Sequence, residues 1–274
     1  LTIAQLTIQE TRRRRILWVA LALGAAFLVV FGLGFHYLFR EVERSGMRPA
    51  EVELTTGLLL TAGLYATNFL IILVSVVTSV TAVSGEIESH TVEVLLTKPV
   101  RRWELILGKW LGFALLLCLY ILLLTGSLLG FVYLRTGILT DNVLPGLGLM
   151  VLQGLLVLSL TIAGGTRLSS LANGVLAFML YGIAFVGGWI EEIGAFLRNE
   201  TAVDIGILTS LLMPSEIIWR KALAVLQPRF VNTPYLAGPF SVMSQPSDAM
   251  IAYAVGYLLL LLALAIWSFS RRDL

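Results

Sequence analysis

Charge is scarce in this sequence. Asp, Glu, Lys and Arg make up 13% of its 274 residues, about half the ~25% usual in a soluble globular domain. A soluble chain of this length needs far more polar surface, so a single soluble domain is excluded. The abundance of Leu, Ile and Val excludes a disordered chain. Cysteine is nearly absent. Cys118 stands alone, which rules out an intrachain bridge and a disulfide scaffold. It lies in an apolar stretch and reads as core or lipid-facing filler. The net charge of +2 is too small for nucleic-acid binding as a bulk property. Chemistry-bearing motifs are missing too. Gly108-Lys109 is followed by Trp110 and has no upstream glycine at phosphate-loop spacing, so no such loop exists. Neither a G-x-S-x-G elbow nor an intramembrane Asp pair occurs, which argues against a membrane protease. No catalytic residue and no metal ligand set is expected.

What is present is apolar sequence, 58% of the chain. A helix needs about 20 mostly apolar residues to cross a bilayer. Six segments meet or approach that length: 16–39, 57–83, 110–134, 145–164, 171–190 and 250–269. None contains Asp, Glu, Lys or Arg, as lipid demands, because a mid-membrane charge costs roughly 2.5–3.5 kcal/mol on insertion scales. The first run is too long for a signal-peptide core of about 7–15 residues. The expected fold is therefore an all-α integral membrane protein of six transmembrane helices, one transmembrane domain over 1–274. Basic residues orient it. With the N-terminus inside, the inner segments hold Arg12 to Arg15, Lys98, Arg101, Arg102, Lys109, Arg167, Arg271 and Arg272, which is 11 of the 19 Lys and Arg. Both termini are expected to be cytoplasmic. His36 and His90 then fall on opposite sides and cannot share a metal within one chain.

The inner segment 84–109 carries its own pattern. Ile87, Thr91, Val94 and Leu95 share one side of a helix. Glu86, Glu88 and Glu93 lie near its start, where acids suit the helix dipole. Lys98 lies at its end and Pro99 stops it. A second helix runs from Arg102 through Lys109 into the third span. A surface helix at the headgroups would read this way. So would a handle offered to a soluble partner.

The same stretch, Gly85-Glu86 … Glu88 … Thr91-Val92-Glu93-Val94-Leu95-Leu96-Thr97-Lys98-Pro99 … Arg102 … Glu104 … Leu107-Gly108-Lys109, resembles the loop after span 2 of the ABC-2-type transporter permeases. That loop commonly reads E-x-x-x-G-T-L-E-x-L-L-x-x-P-x-x-R-x-x-x-L-x-G-K. His90 stands here in place of the usual Gly, and Val92 in place of the usual Leu. The likeness is closest to the subgroup that includes the permease of nitrous-oxide-reductase maturation. The motif covers about a tenth of the chain, and the six-span layout extends the likeness over most of it.

The resemblance implies a permease that pairs with a second copy or a homologue and with two cytoplasmic ATPase subunits. ATP and Mg would sit on those subunits, and this chain would bind no cofactor itself. A coupling helix at about 85–98 would seat on the ATPase through Gly85, Glu86, Glu88, Thr91, Glu93, Leu95, Pro99 and Arg102. Segment 1–15 stands where the family has an elbow helix, although Leu1, Ile3, Ala4, Leu6 and Ile8 make no clean single face. Family permeases place spans 1, 2 and 5 around the path, which singles out Tyr65 and Asn68 in span 2. The expected setting is a bacterial or archaeal cytoplasmic membrane, with lipids as neighbours. Two rivals stay open, a stand-alone secondary transporter and a membrane scaffold. The uncharged spans count against proton or sodium coupling.

The outer loop 191–249 is mixed. Residues 205–213 are apolar but too short to span. After Pro214, residues Ile218, Trp219, Ala222, Leu223, Val225 and Leu226 share one helical face, with Arg220, Lys221 and Gln227 opposite. This predicts an interfacial helix with Trp219 at headgroup level, while the family resemblance, loosely matched by Met213-Pro214 to Arg220, implies a re-entrant or interfacial element between spans 5 and 6. Glu191 and Glu192 read as a solvated end of span 5.

Overall fold

The computed structural model describes residues 2–13, 15–46, 48–85, 101–137, 142–227 and 246–271. Within them the chain forms helices α1 (Thr2–Arg13), α2 (Arg15–Arg44), α3 (Pro49–Ser79), α4 (Arg102–Thr136), α5 (Val143–Gly165), α6 (Ser170–Leu197), α7 (Glu200–Leu212), α8 (Ser215–Leu226) and α9 (Ala249–Ser270). Six of these, α2 to α6 and α9, are long and apolar enough to cross a membrane. The six expected spans are all present.

Their limits differ from hydropathy in an instructive way. Span 2 starts at Pro49, well before residue 57. Proline is pre-set for the first helical turn. The Glu51 carboxylate accepts the Arg48 backbone N–H at 3.1 Å and pairs with its guanidinium at 2.8 Å. Span 3 starts at Arg102, where the Glu104 carboxylate accepts the Arg101 N–H at 3.2 Å. It stops at Gly137, which takes the left-handed conformation at φ 69°.

The helices pack through a shared apolar core and through polar contacts between spans, because close packing and interhelical hydrogen bonds associate helices where lipid supplies no hydrophobic drive. α5 sits centrally against α3, α4, α6, α8 and α9. Ser75 donates to the Gly154 carbonyl at 3.0 Å, and Ser79 and Thr161 share a short hydrogen bond. Asn173 of α6 donates to the Thr161 carbonyl at 2.7 Å. On α2, Phe27, Phe31 and Phe35 run along one side at helical spacing, and Phe35 meets Phe131 of α4 edge-on at 5.9 Å.

α1 lies against α4. Its buried stripe is Ala4, Thr7 and Thr11, small residues rather than the large apolar ones. The matching surface on α4 is Gly108 and Gly112, a G-x-x-x-G pair. A Cβ at Gly108 would lie 2.6 Å from the Ile3 Cβ, and one at Gly112 would lie 2.8 Å from the Thr7 Cβ. The helix backbones touch there because neither position carries a side chain.

α7 and α8 form a bent pair, turned by 106°. Met213 is extended, at φ −141° and ψ 96°, as a residue before proline must be. The carbonyls left open at the end of α7 find donors on α9. Tyr253 donates to Leu211 O at 2.6 Å and Tyr257 to Leu212 O at 2.9 Å. The α8 helix does not float at a surface. Trp219 has 0% exposure, and Arg220 and Gln227, on the opposite side of the wheel, are buried as well. The segment is thus a bent hairpin, a broken span or a re-entrant loop, enclosed by α3, α5, α6 and α9, with Trp219 packed inside the protein and not on an open surface.

Candidate functional site

Two regions at opposite ends of the bundle hold the residues of interest. The first is the junction of α3 and α4. Of the expected coupling set, Gly85 and Arg102 lie within the described residues, and Glu86, Glu88, Thr91, Glu93, Leu95 and Pro99 lie outside them. Gly85 is half-buried in the turn after α3. Arg102 donates to the Ser270 carbonyl at the end of α9 at 3.1 Å. Ser84 and Ser170 hydroxyls are 2.9 Å apart, which ties this turn to the start of α6. Lys109 stands in the motif quoted above but outside the expected coupling set. It is 5% exposed, and its Nζ donates to the Ala82 carbonyl at 2.5 Å. A cation there suits the carbonyl-rich end of α3. Next to it, Trp110 Nε1 donates to Ser159 Oγ of α5 at 2.9 Å.

The second region is the seat of α8. Arg220 Nη2 is 2.6 Å from Glu191 Oε2, with both side chains 6% exposed, and its Nη1 is 3.8 Å from Glu192 Oε2. Glu191 is therefore a buried, paired carboxylate and not a solvated helix end. Glu216, one turn before Arg220, is 1% exposed, and its Oε2 has no hydrogen-bond partner. Gly188 makes room for it, since a Cβ there would lie 2.8 Å from Glu216 Cγ. Gly187 and Gly206 likewise let α6 and α7 close up, each lacking a Cβ that would strike Thr209 or Glu191.

The two path residues picked from span 2 border this seat. Tyr65 packs edge-on against Trp219 at 5.3 Å between ring centroids. Asn68 donates to the Tyr181 hydroxyl of α6 at 3.1 Å, and its Oδ1 is unpartnered. Both are at the meeting of spans 2 and 5 with the hairpin. The ionisable groups missing from the spans are supplied here by the far end of α6 and by α8. At the edge of the same hairpin, Lys221 reaches the Pro246 carbonyl at 2.8 Å and Asp248 Oδ1 at 2.7 Å. That contact holds the Asp248 carboxyl below its usual range, chiefly by the hydrogen bond and then by the lysine charge.

Among the described residues no group of three or more His, Cys, Asp or Glu could hold a metal ion. The region orders helices and buries charge.

The family model for ABC-2 family transporter protein matches residues 1–274, the whole chain. The chain belongs to the ABC-2 transporter family. It is accordingly a multi-pass integral membrane protein and a permease component of an ABC transporter, the transport part and not the ATPase. A search of curated proteins gives no match.

Proposed function

We propose that this ABC-2 permease forms the path of an exporter as a dimer with an identical or homologous copy. Two separate cytoplasmic ATPase subunits, binding ATP and Mg, drive it by pushing on a coupling helix at about 85–98. The membrane is the cytoplasmic membrane of a bacterium or archaeon, with the α3–α4 junction facing the cytoplasm, and the subgroup likeness is to the nitrous-oxide-reductase maturation permease.

One observation carries this reading. Both ends of the segment between α3 and α4 are fastened to other helices: Ser84 to α6, Arg102 to α9, Lys109 back to α3, and the start of α4 to α1 through Gly108 and Gly112. A push on the segment would move five helices together. An ordinary surface helix has no need of such anchoring. At the other end Tyr65 and Asn68 border the path where spans 2 and 5 meet the hairpin.

The test is affinity purification of tagged protein from its native membrane, with mass spectrometry of the material retained. A stoichiometric ABC ATPase is expected, and the number of permease species tells homodimer from heterodimer. A homogeneous chain without an ATPase would favour a stand-alone carrier or a scaffold.

A further inference from the structure

α2 is the least buried of the six spans. Only 11% of its most apolar stretch lies inside the protein, against 61% in α5 and 67% in α3. Its far half, away from the α3–α4 junction, leaves an open groove against α4. Leu28, Gly32 and His36 follow one another a turn apart on α2, and Phe131 and Arg135 do so on α4. Gly32 sets the floor, since a Cβ there would already lie 3.6 Å from the Phe131 ring, at ordinary contact. Val29 and Leu33 stand at the side, 60% and 55% exposed. The groove holds about 410 Å³, within the ~300–1,000 Å³ of ordinary ligand sites. Leu28 to His36 covers about 12 Å along the helix, close to the depth of one leaflet of a ~30 Å hydrocarbon core.

The apolar groove ends in two basic side chains, half-buried His36 and exposed Arg135. Neither makes a side-chain hydrogen bond or an ion pair among the described residues; His36 has a ring contact with Tyr37. The next acid on that side of α2 is Glu43, about 10 Å beyond His36 along the helix. An arginine in the last turn suits the carbonyl end of α4. That explains its place along the helix but not the apolar slot below it. An apolar wall that runs a leaflet deep and ends in cations complements an anionic phospholipid, and basic pockets between spans take such headgroups. We propose that this groove binds one anionic phospholipid, with an acyl chain along Gly32 and Phe131 and the phosphate between His36 and Arg135. The guanidinium fork takes two phosphate oxygens, and the imidazole N–H donates to a third. The lipid bridges α2 and α4 and so fastens the least buried span to the bundle, at the end opposite the α3–α4 junction.

The test offers the purified full-length protein in detergent either phosphatidylglycerol or phosphatidylcholine with identical chains. Native mass spectrometry counts the lipids retained, and thermal melts read the fastening of α2. Wild type should retain one phosphatidylglycerol per chain and melt higher with it than with phosphatidylcholine. Arg135→Gln should lower that retention roughly five-fold and remove the difference in melting. Gly32→Leu, which fills the floor of the groove, should lose the retained lipid as well. Arg44→Gln changes an exposed arginine of the same helix outside the groove, and should behave as wild type. Equal retention of the two lipids by wild type overturns the proposal, and so does undiminished phosphatidylglycerol on Arg135→Gln. Inorganic phosphate that raised the melting temperature as much as phosphatidylglycerol would overturn it too, in favour of an anion site without a chain. Rapid, stoichiometric cross-linking of Leu33→Cys to itself in a Cys118→Ser background would show that a second copy covers the groove, and would likewise overturn it.

Discussion

Arg220 and Glu191 stand 29 residues apart, yet their side chains meet at 2.6 Å inside the seat of the hairpin. The pair fastens α8 to the end of α6. Removing one partner of a buried pair leaves an uncompensated charge and costs about 3–5 kcal/mol. Arg220→Met should therefore lower the melting temperature of the detergent-purified protein sharply. The double variant Arg220→Met with Glu191→Gln should recover a large part of the loss. If the double variant were as unstable as the single one, the pair would not be the fastening.

The close approach of α1 to α4 depends on two missing side chains. Gly112→Val would drive a branched side chain into Thr7, whose Cβ lies 2.8 Å from where a Cβ would sit. α1 should come off α4, and a protease cutting within residues 2–13 should act faster on the variant. Gly126→Ala, on the same helix with open space around it, should cut as slowly as wild type. Equal cleavage of Gly112→Val and wild type would show that α1 is held by something other than this contact.

The spans were legible in the sequence because lipid tolerates so few alternatives: long runs without Asp, Glu, Lys or Arg can only be membrane helices or core. Their ends were less so. Hydropathy stopped span 2 at residue 57, whereas Pro49 and Glu51 carry the helix beyond the apolar run by local chemistry. The helical segment at α8 was visible, but its surroundings were not. A helical wheel sorts residues by polarity and so placed Arg220 and Gln227 in water. In the fold, Glu191 waits for Arg220, and Thr61 accepts from Gln227 Nε2 at 3.0 Å. Those partners come from other helices, and periodicity along one helix cannot reveal them. The stripe of α1 was hidden for the opposite reason, since Ala4, Thr7 and Thr11 have little hydropathy to signal a packed face.

Lys221 and Asp248 clip the outer edge of α8 to the start of α9. The lowered carboxyl of Asp248 sets the sign. A carboxyl depressed in the folded state adds stability above its unfolded pKa of about 3.9 and loses it as pH falls through the folded value. The clip should thus weaken only in acid. Asp248→Asn should match wild type in melts at the acid extreme and fall slightly below it at neutral pH. Because Asp248 is exposed, added salt should shrink the difference. A difference that grew with acid or with salt would contradict the assignment.

Lys109 is where the coupling reading meets the described structure. Its Nζ closes on the Ala82 carbonyl, a few residues before the segment that would seat on the ATPase. Lys109→Met keeps much of the volume but removes this donor to the buried Ala82 carbonyl just past α3, at about 1–3 kcal/mol. The protein should still insert and still bind its ATPase. In vesicles holding the complete transporter, ATP hydrolysis should continue while transport per ATP falls. Glu86→Gln or Glu88→Gln should give the same split, because they would act on the other side of the same joint. Transport per ATP equal to wild type in all three variants would remove the joint between α3 and α4 from the mechanism, whatever co-purifies with the chain.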